Sequence, residues 1–370
     1  MSLSFDPKTP LTSGIEIIEN AVIVPWGDGK SKGFARPAGV FYPDGTPCDA
    51  AVCYRSADRA TTLSTPFPDE EDISETISGT VLFGGIAYGH FGHALCESLG
   101  RLWALDDPDL GIEKIYFHPK QRKTWVKNSL SSVRPMIETL GVKEGLFASN
   151  DPIRVERLVV APQGFGVNEL ILGSPEFRSF IRGRLQSGDL ETADRKIFVS
   201  RSKLYSKRGR ILQENIIEQH LEAEGYEIFH PQEHSLAEQL DAYRNAKVLI
   251  STDNSALHLA AFVVPKEAAV AILIRRPSFI YKDFVGQLKQ FANIDPVIIE
   301  TGQAYWAKAS NRVQLNEVYA QVDFPKMGAA LKEAGFVSQA DWPEVDQKAL
   351  QQQISTLSEN LGYDLEPVKL

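Results

Sequence analysis

The sequence predicts an α/β protein of two domains in which strands and helices alternate. Three observations carry that reading. A short apolar run ending in turn residues leads into an amphipathic helical pattern at TVLFGG (80–85), and the same order restarts at KIFVS (196–200). Strands separated by helical stretches imply βα units and parallel sheet. At 370 residues the chain is long enough for roughly two domains, each burying its own core.

Composition narrows the class. Hydrophobic residues make up 43% and charged residues 24%, with no low-complexity tract and no heptad run, which excludes a disordered or coiled-coil chain. The formal net charge is -9, and a nucleic-acid binder needs basic surface to neutralise phosphates, so no nucleic-acid partner is expected. No stretch approaches the roughly 18 consecutive apolar residues of a membrane span, and MSLSFDPKTP lacks the cationic and apolar regions of a signal peptide. The expectation is a cytoplasmic protein, with peripheral attachment at the inner face of the membrane left open. Cys48, Cys53 and Cys96 are odd in number and lack metal spacing, so reduced thiols are expected.

Residues 1–78 read as a small β-rich lead-in. Their extended runs, IEIIENAVIVPW and GVFYPDGTPCDAAVCY, are divided by the turn signals WGDGK and YPDGT, and TPFPDEEDISET is an acidic surface connection. Residues 79–190 form the first alternating domain, with a helix over TWVKNSLSSVRPMIETLG that Pro135 bends or splits. GFGVNE (164–169) lacks the strand, turn and helix of a dinucleotide fingerprint and reads as a cleft loop. SGDLETADR (187–195) reads as a hinge. A second alternating domain spans 191–322. Two helices, at 324–335 and 343–361, fill a tail of 323–370 that packs back across the domains.

The segment YGHFGHALCESLGRLWAL is two-faced as a helix. At 3.6 residues per turn His90, His93, Glu97 and Arg101 fall within about 80° of one another, opposite Phe91, Leu95, Leu99 and Leu102. Two roles fit this strip: a solvated face with an i to i+4 pair, or a polar strip facing a cleft. The spacing matches no zinc site, and no metal is expected.

In RSKLYSKRGR (201–210) five cations fall within ten residues of an acidic chain, directly after a buried strand and before a helix. Anions bind where helix starts and loop amides converge at the carboxyl ends of strands, so a phosphorylated small molecule is the expected ligand. Ser235 and Glu238 have the spacing of a capping box, which leaves Glu238 open between cap and ligand contact. Ser255 is read as opening the helix after KVLIS, and His258 as either a satisfied core histidine or a ligand contact.

Three segments resemble glycosyltransferase family 61, which includes bacterial capsular polysaccharide biosynthesis enzymes. HFGHALCESLGRLWAL resembles the family's early block through His93, Glu97 and Arg101. KIFVSRSKLYSKRGRILQEN resembles its strand and basic loop through Arg201, Lys203 and Arg210. FHPQEHSLAEQLDAYRNAKVLISTDNSALHLAAF resembles the block that pairs Glu238 and Gln239 with a later turn and His258. The chain departs from the family's pattern at Gln213 and Glu214, at Asp253 and Asn254, and at Leu259.

The resemblance implies a GT-B-like fold: two Rossmann-like, doubly wound domains facing a cleft, with the nucleotide sugar held mainly by the second and inversion at the anomeric carbon. His93 would be the base, with Glu97 orienting it and Asp253 a further catalytic candidate. Arg201, Lys203, Arg210, Glu238, Gln239, Asn254, Ser255 and His258 would serve the donor, and His90 and Arg101 would line the cleft. The partners would be a nucleotide sugar and a glycan or lipid-linked glycan acceptor, with no cofactor. The alternatives are a noncatalytic nucleotide- or glycan-binding protein on the same fold, and another phosphate-handling enzyme.

Overall fold

The structure, a computed structural model, describes residues 10–27, 34–120, 130–142, 145–204, 208–309 and 313–368. The chain divides into two compact units, Met1–Gln186 and Ser187–Leu370. Among the described residues no helix is long and apolar enough to cross a membrane.

The first unit is built on a six-stranded sheet of β1 (Glu16–Val24), β2 (Gly39–Phe41), β3 (Thr76–Ala87), β4 (Lys114–Pro119), β5 (Gly145–Phe147) and β6 (Ile153–Val160). Its spatial order is β2-β1-β6-β3-β4-β5. The last four of that order run parallel, whereas β1 is antiparallel to both of its neighbours. The sheet is therefore mixed, and residues 1–78 are no separate lead-in. Ala21, Val22 and Ile23 of β1 are buried only because β1 lies along β6, and an isolated hairpin of such length would not hold.

Strand β3 is buried from Thr80 to Ala87, as a strand covered on both faces must be. Its register against β4 slips between Phe83 and Gly85, where Gly85 takes a φ of 95° that a side chain would strain. The bulge precedes Tyr88 and α1 (Phe91–Glu97). Residues 121–129 lie outside the described residues, so only part of the long helix expected there is seen. In the described part, helical residues 130–131 give way to a turn at 132–133 and a new helix, α2 (Arg134–Thr139), starts with Pro135 in its first turn, where the missing N–H costs nothing; the stretch is split there, one of the two outcomes expected of Pro135. The first half of GFGVNE is core: Phe165 is buried and stacks on Phe177 of α3 (Pro175–Arg184) with centroids 4.4 Å apart, while Asn168 and Glu169 are exposed.

The second unit holds five strands, β7 (Arg195–Val199), β8 (Glu227–Phe229), β9 (Ala246–Thr252), β10 (Ala269–Leu273) and β11 (Val297–Ile299). All are parallel, in the order β8-β7-β9-β10-β11. They alternate with α4 (Glu214–Ala223), α5 (Leu236–Arg244), α6 (Ala256–Val263) and α7 (Tyr281–Ala292). The chain moves one way from β7 to β8 and then returns past β7 to β9. This is the strand order of a doubly wound sheet, with its switch point between β7 and β9.

A small sheet of β12 (Gly302–Lys308), β13 (Tyr319–Val322) and β14 (Leu365–Pro367) follows, with α8 (Phe324–Glu333) and α9 (Gln347–Leu361). The two helices are part of the second unit's own core. Phe324, Met327 and Leu331 of α8 join Ile217, Leu221 and Ile250, and the α9 stripe of Leu350, Ile354, Leu357 and Leu361 is met by Leu212, Tyr319 and Leu365.

Candidate functional site

Two groups of ionisable side chains stand out, one in each unit. In the first, the Nδ1 of His93 is bonded to a carboxylate oxygen of Glu97 one helical turn on. Glu97 is buried, and its other oxygen lies 3.9 Å from the Nε of Arg55. A carboxylate at Nδ1 fixes the neutral imidazole with its proton there, which leaves Nε2 as the basic nitrogen. The His93 ring is half-buried, with the rings of Tyr88 and His90 at 5.9 and 5.4 Å. Lys120 stands 4.6 Å over Tyr88, and burial lowers its pKa. Arg55 and Lys120 come from distant segments and have no local sequence signal.

Arg101 does not belong to this strip. Helix α1 stops at Glu97 and the chain passes into a 3-10 turn at Leu102, so the helical wheel does not extend that far. Arg101 is 2% exposed and donates to the carbonyls of Ala50, Val52 and Ala161. It ties β3's neighbourhood to two remote segments and is a structural arginine.

The second group sits at the switch point. Asp253, just past β9, is 1% exposed; it accepts from the backbone N–H of Arg275 at 3.0 Å and from the Nε of Arg276. The Nε of Arg275 lies 3.6 Å from the same carboxylate, yet its Nε and Nη1 make no hydrogen bond among the described residues. Asp253 is thus a clamp for two arginines and not a base, which corrects its catalytic reading. Arg201, at the end of β7, feels the charges of Asp253, Glu214 and Arg276, and burial brings it down to about 10. Burial and the neighbouring Arg201 bring Arg275 down to about 9.

Arg201 is braced by its own loop, its guanidinium donating to the carbonyl of Gly209 at 3.1 Å. A Cβ at Gly209 would meet the Val318 oxygen at 2.2 Å, so only glycine lets the loop lie there. The first residue of α4, Glu214, accepts from the Arg201 N–H at 2.7 Å and the Ser200 hydroxyl at 3.2 Å. Its other oxygen is buried without a hydrogen bond among the described residues, and burial pushes its pKa up to about 7. Arg275 and Arg276 on one aspartate, with Arg201 near enough to feel their charges, leave an excess of positive charge in a buried place, which an anion would offset.

The other second-domain candidates have structural tasks. Lys203 is exposed and paired with Glu233 at 3.1 Å. Glu238 completes the capping box with Ser235, and Gln239 donates to the carbonyls of Pro231 and His234. Asn254, not Ser255, caps α6: its side chain accepts from Ala256 N–H at 2.9 Å and donates to Ser251 and Thr252, while Ser255 makes no capping bond. His258 is held by Gln287 of α7 at 2.6 Å, the satisfied histidine of the two readings. Arg210 bonds the Ser202 carbonyl and faces a separate cavity; Lys207 lies outside the described residues. Arg275 and Arg276 carry a local sequence signal, the double arginine that closes AAVAILIRRP. Among the described residues no three His, Cys, Asp or Glu side chains gather to hold a metal.

Residues 91–271 match the family described as Glycosyltransferase 61. The match supports assignment of the chain to glycosyltransferase family 61. No curated protein matches it. That family implies glycosyltransferase activity, with a sugar donor and an acceptor as substrates. The family 61 match opens at the first residue of α1 and closes within β10, so it includes His93, Glu97, Arg201, Glu214 and Asp253. Arg55, Arg275 and Arg276 lie outside it.

Proposed function

We propose that the chain is an inverting transferase that moves a sugar from a nucleotide-sugar donor to a hydroxyl of a glycan or lipid-linked glycan, in bacterial surface or capsular polysaccharide synthesis. The observation that carries the donor assignment is the gathering of Arg201, Arg275 and Arg276 at the switch point of a doubly wound sheet, where such folds bind ligands. Arg210, Lys203 and the caps take no part in this reading.

His93 Nε2 removes the proton of the acceptor hydroxyl, and the resulting oxygen attacks the anomeric carbon from the face opposite the leaving group. The bond from that carbon to the phosphate oxygen breaks, and the diphosphate departs with its charge held by the three arginines. Arginines aimed at charge that grows in the transition state serve here in place of a divalent cation. In this reading the base comes from the first unit and the donor site from the second, as a GT-B enzyme requires. Ordering of that arrangement by donor is checked by small-angle scattering, where an unchanged profile at saturation counts against it.

The primary test is a thermal-shift screen of nucleotides and nucleotide sugars. A ligand at about 100 times its dissociation constant adds about 2.7 kcal/mol, which moves the midpoint of a protein this size by several degrees. If no nucleotide or nucleotide sugar moves it, the donor reading fails. Binding without transfer to any acceptor supports the noncatalytic alternative.

A further inference from the structure

We infer that the second unit carries a saccharide-binding site of its own, between the start of α4 and one face of α9. This goes beyond the donor reading and does not depend on it. A cavity of about 530 Å³ opens there, lined by Arg210, Gln213, Asn215, Gln352, Gln353 and Asn360 among others. Along α9 the lining positions Ala349, Gln352, Thr356 and Asn360 recur at three and four residues, so they form one stripe beside the buried leucines.

Two polar atoms of the lining residues make no hydrogen bond among the described residues. Gln213 is 6% exposed; its backbone N–H donates to Gln353 at 2.8 Å and its side-chain nitrogen to the Asp346 carbonyl at 2.7 Å. Its side-chain oxygen, and the Nε of Arg210, make no hydrogen bond among the described residues. Gln213 also holds a φ of 55°, a left-handed backbone that a residue with a side chain adopts at some energetic cost. Buried acceptors and donors without partners are filled by a ligand or by water.

The chemistry of the lining selects the ligand class. A carboxamide presents a donor and an acceptor side by side, which matches vicinal hydroxyls, each of them donor and acceptor at once. Four carboxamides besides Gln213, the Thr356 hydroxyl and the apolar edges of Ala349 and Leu357 suit the hydroxyl and C–H faces of a sugar ring. Arg210 alone is too little charge for a diphosphate, and it matches at most one carboxylate on the saccharide. Among the described residues no aromatic ring lines the cavity to stack a nucleobase.

The test uses the full chain and four probes: maltotriose, cellotriose, N-acetylated chitotriose and trigalacturonate. Saturation-transfer NMR and calorimetry should show saturable binding of at least one. Gln352 and Asn360 are exposed, so a Gln352→Ala/Asn360→Ala variant keeps its thermal midpoint and weakens that probe at least tenfold, while uridine diphosphate changes less than twofold. Thr356→Lys, which fills the cavity from an exposed position, should act the same way. The inference is overturned if none of the probes saturates or if both variants bind as the parent does. It is equally overturned if the variants weaken uridine diphosphate as much as the saccharide, because the cavity is then part of the donor site.

Discussion

His93 and Glu97 are joined by a hydrogen bond at the imidazole Nδ1, and their side chains are 35% and 1% exposed. A buried carboxylate at Nδ1 of a partly exposed imidazole leaves Nε2 as the basic nitrogen, which is what a proton acceptor for an acceptor hydroxyl needs. His93→Ala should lower turnover with a verified acceptor by about 10² to 10⁴, the range for losing a general base. Donor affinity by calorimetry should stay within twofold. Full turnover in the variant sinks the assignment; joint loss of donor binding and folding makes His93 structural.

The arginine cluster separates phosphate from nucleoside. Arg201→Ala should weaken a nucleoside diphosphate by at least tenfold, about 1.4 kcal/mol, and leave the bare nucleoside nearly unchanged. Equal losses for both ligands in calorimetry would remove Arg201 from the diphosphate site. Lys203→Ala, at an exposed residue paired with Glu233, should change neither.

Glu214 makes the donor site sensitive to pH. Burial holds its carboxyl at about 7 against an ordinary 4.5, so between those values the folded chain binds more protons than the unfolded one. Stability contributed by this group is therefore present at low pH and is lost as pH rises through about 7. Neutral Glu214 also leaves the arginines more positive. Nucleotide-sugar affinity should rise several-fold from pH 8 to pH 6, since the phosphates of such a diester do not titrate there, and Glu214→Gln should flatten that slope. A parent whose affinity is flat across the window refutes the coupling.

Arg101 should matter for stability and not for chemistry. Arg101→Met strands the carbonyls of Ala50, Val52 and Ala161, at about 3 kcal/mol or more. Hydrogen exchange should accelerate around those three segments, with nucleoside diphosphate affinity unchanged. Exchange rates equal to the parent's would show that the guanidinium contributes nothing there.

The sequence by itself determined the alternation of strands and helices, the polar pair on α1 and the basic residue closing β7. These are local patterns: continuous apolar runs bury as parallel strands, and i to i+4 spacing brings His93 to Glu97 whatever lies around them. It also carried the capping box of Ser235 and Glu238, which rests on four consecutive residues. Tertiary structure decided the rest. That β1 joins the first unit's sheet depends on pairing with β6, whose partner residues, such as Glu16 with Val160 and Ile23 with Ile153, are remote in sequence, and that Arg101 turns inward depends on where α1 ends. Arg275 and Arg276 reach Arg201 only because β10 lies beside β9, which lies beside β7; adjacency in a sheet is set by long-range pairing that no window of sequence contains. Burial, which turns Asp253 into a clamp and Glu214 into a titrating group near neutral pH, is likewise a property of the packed core and not of either residue.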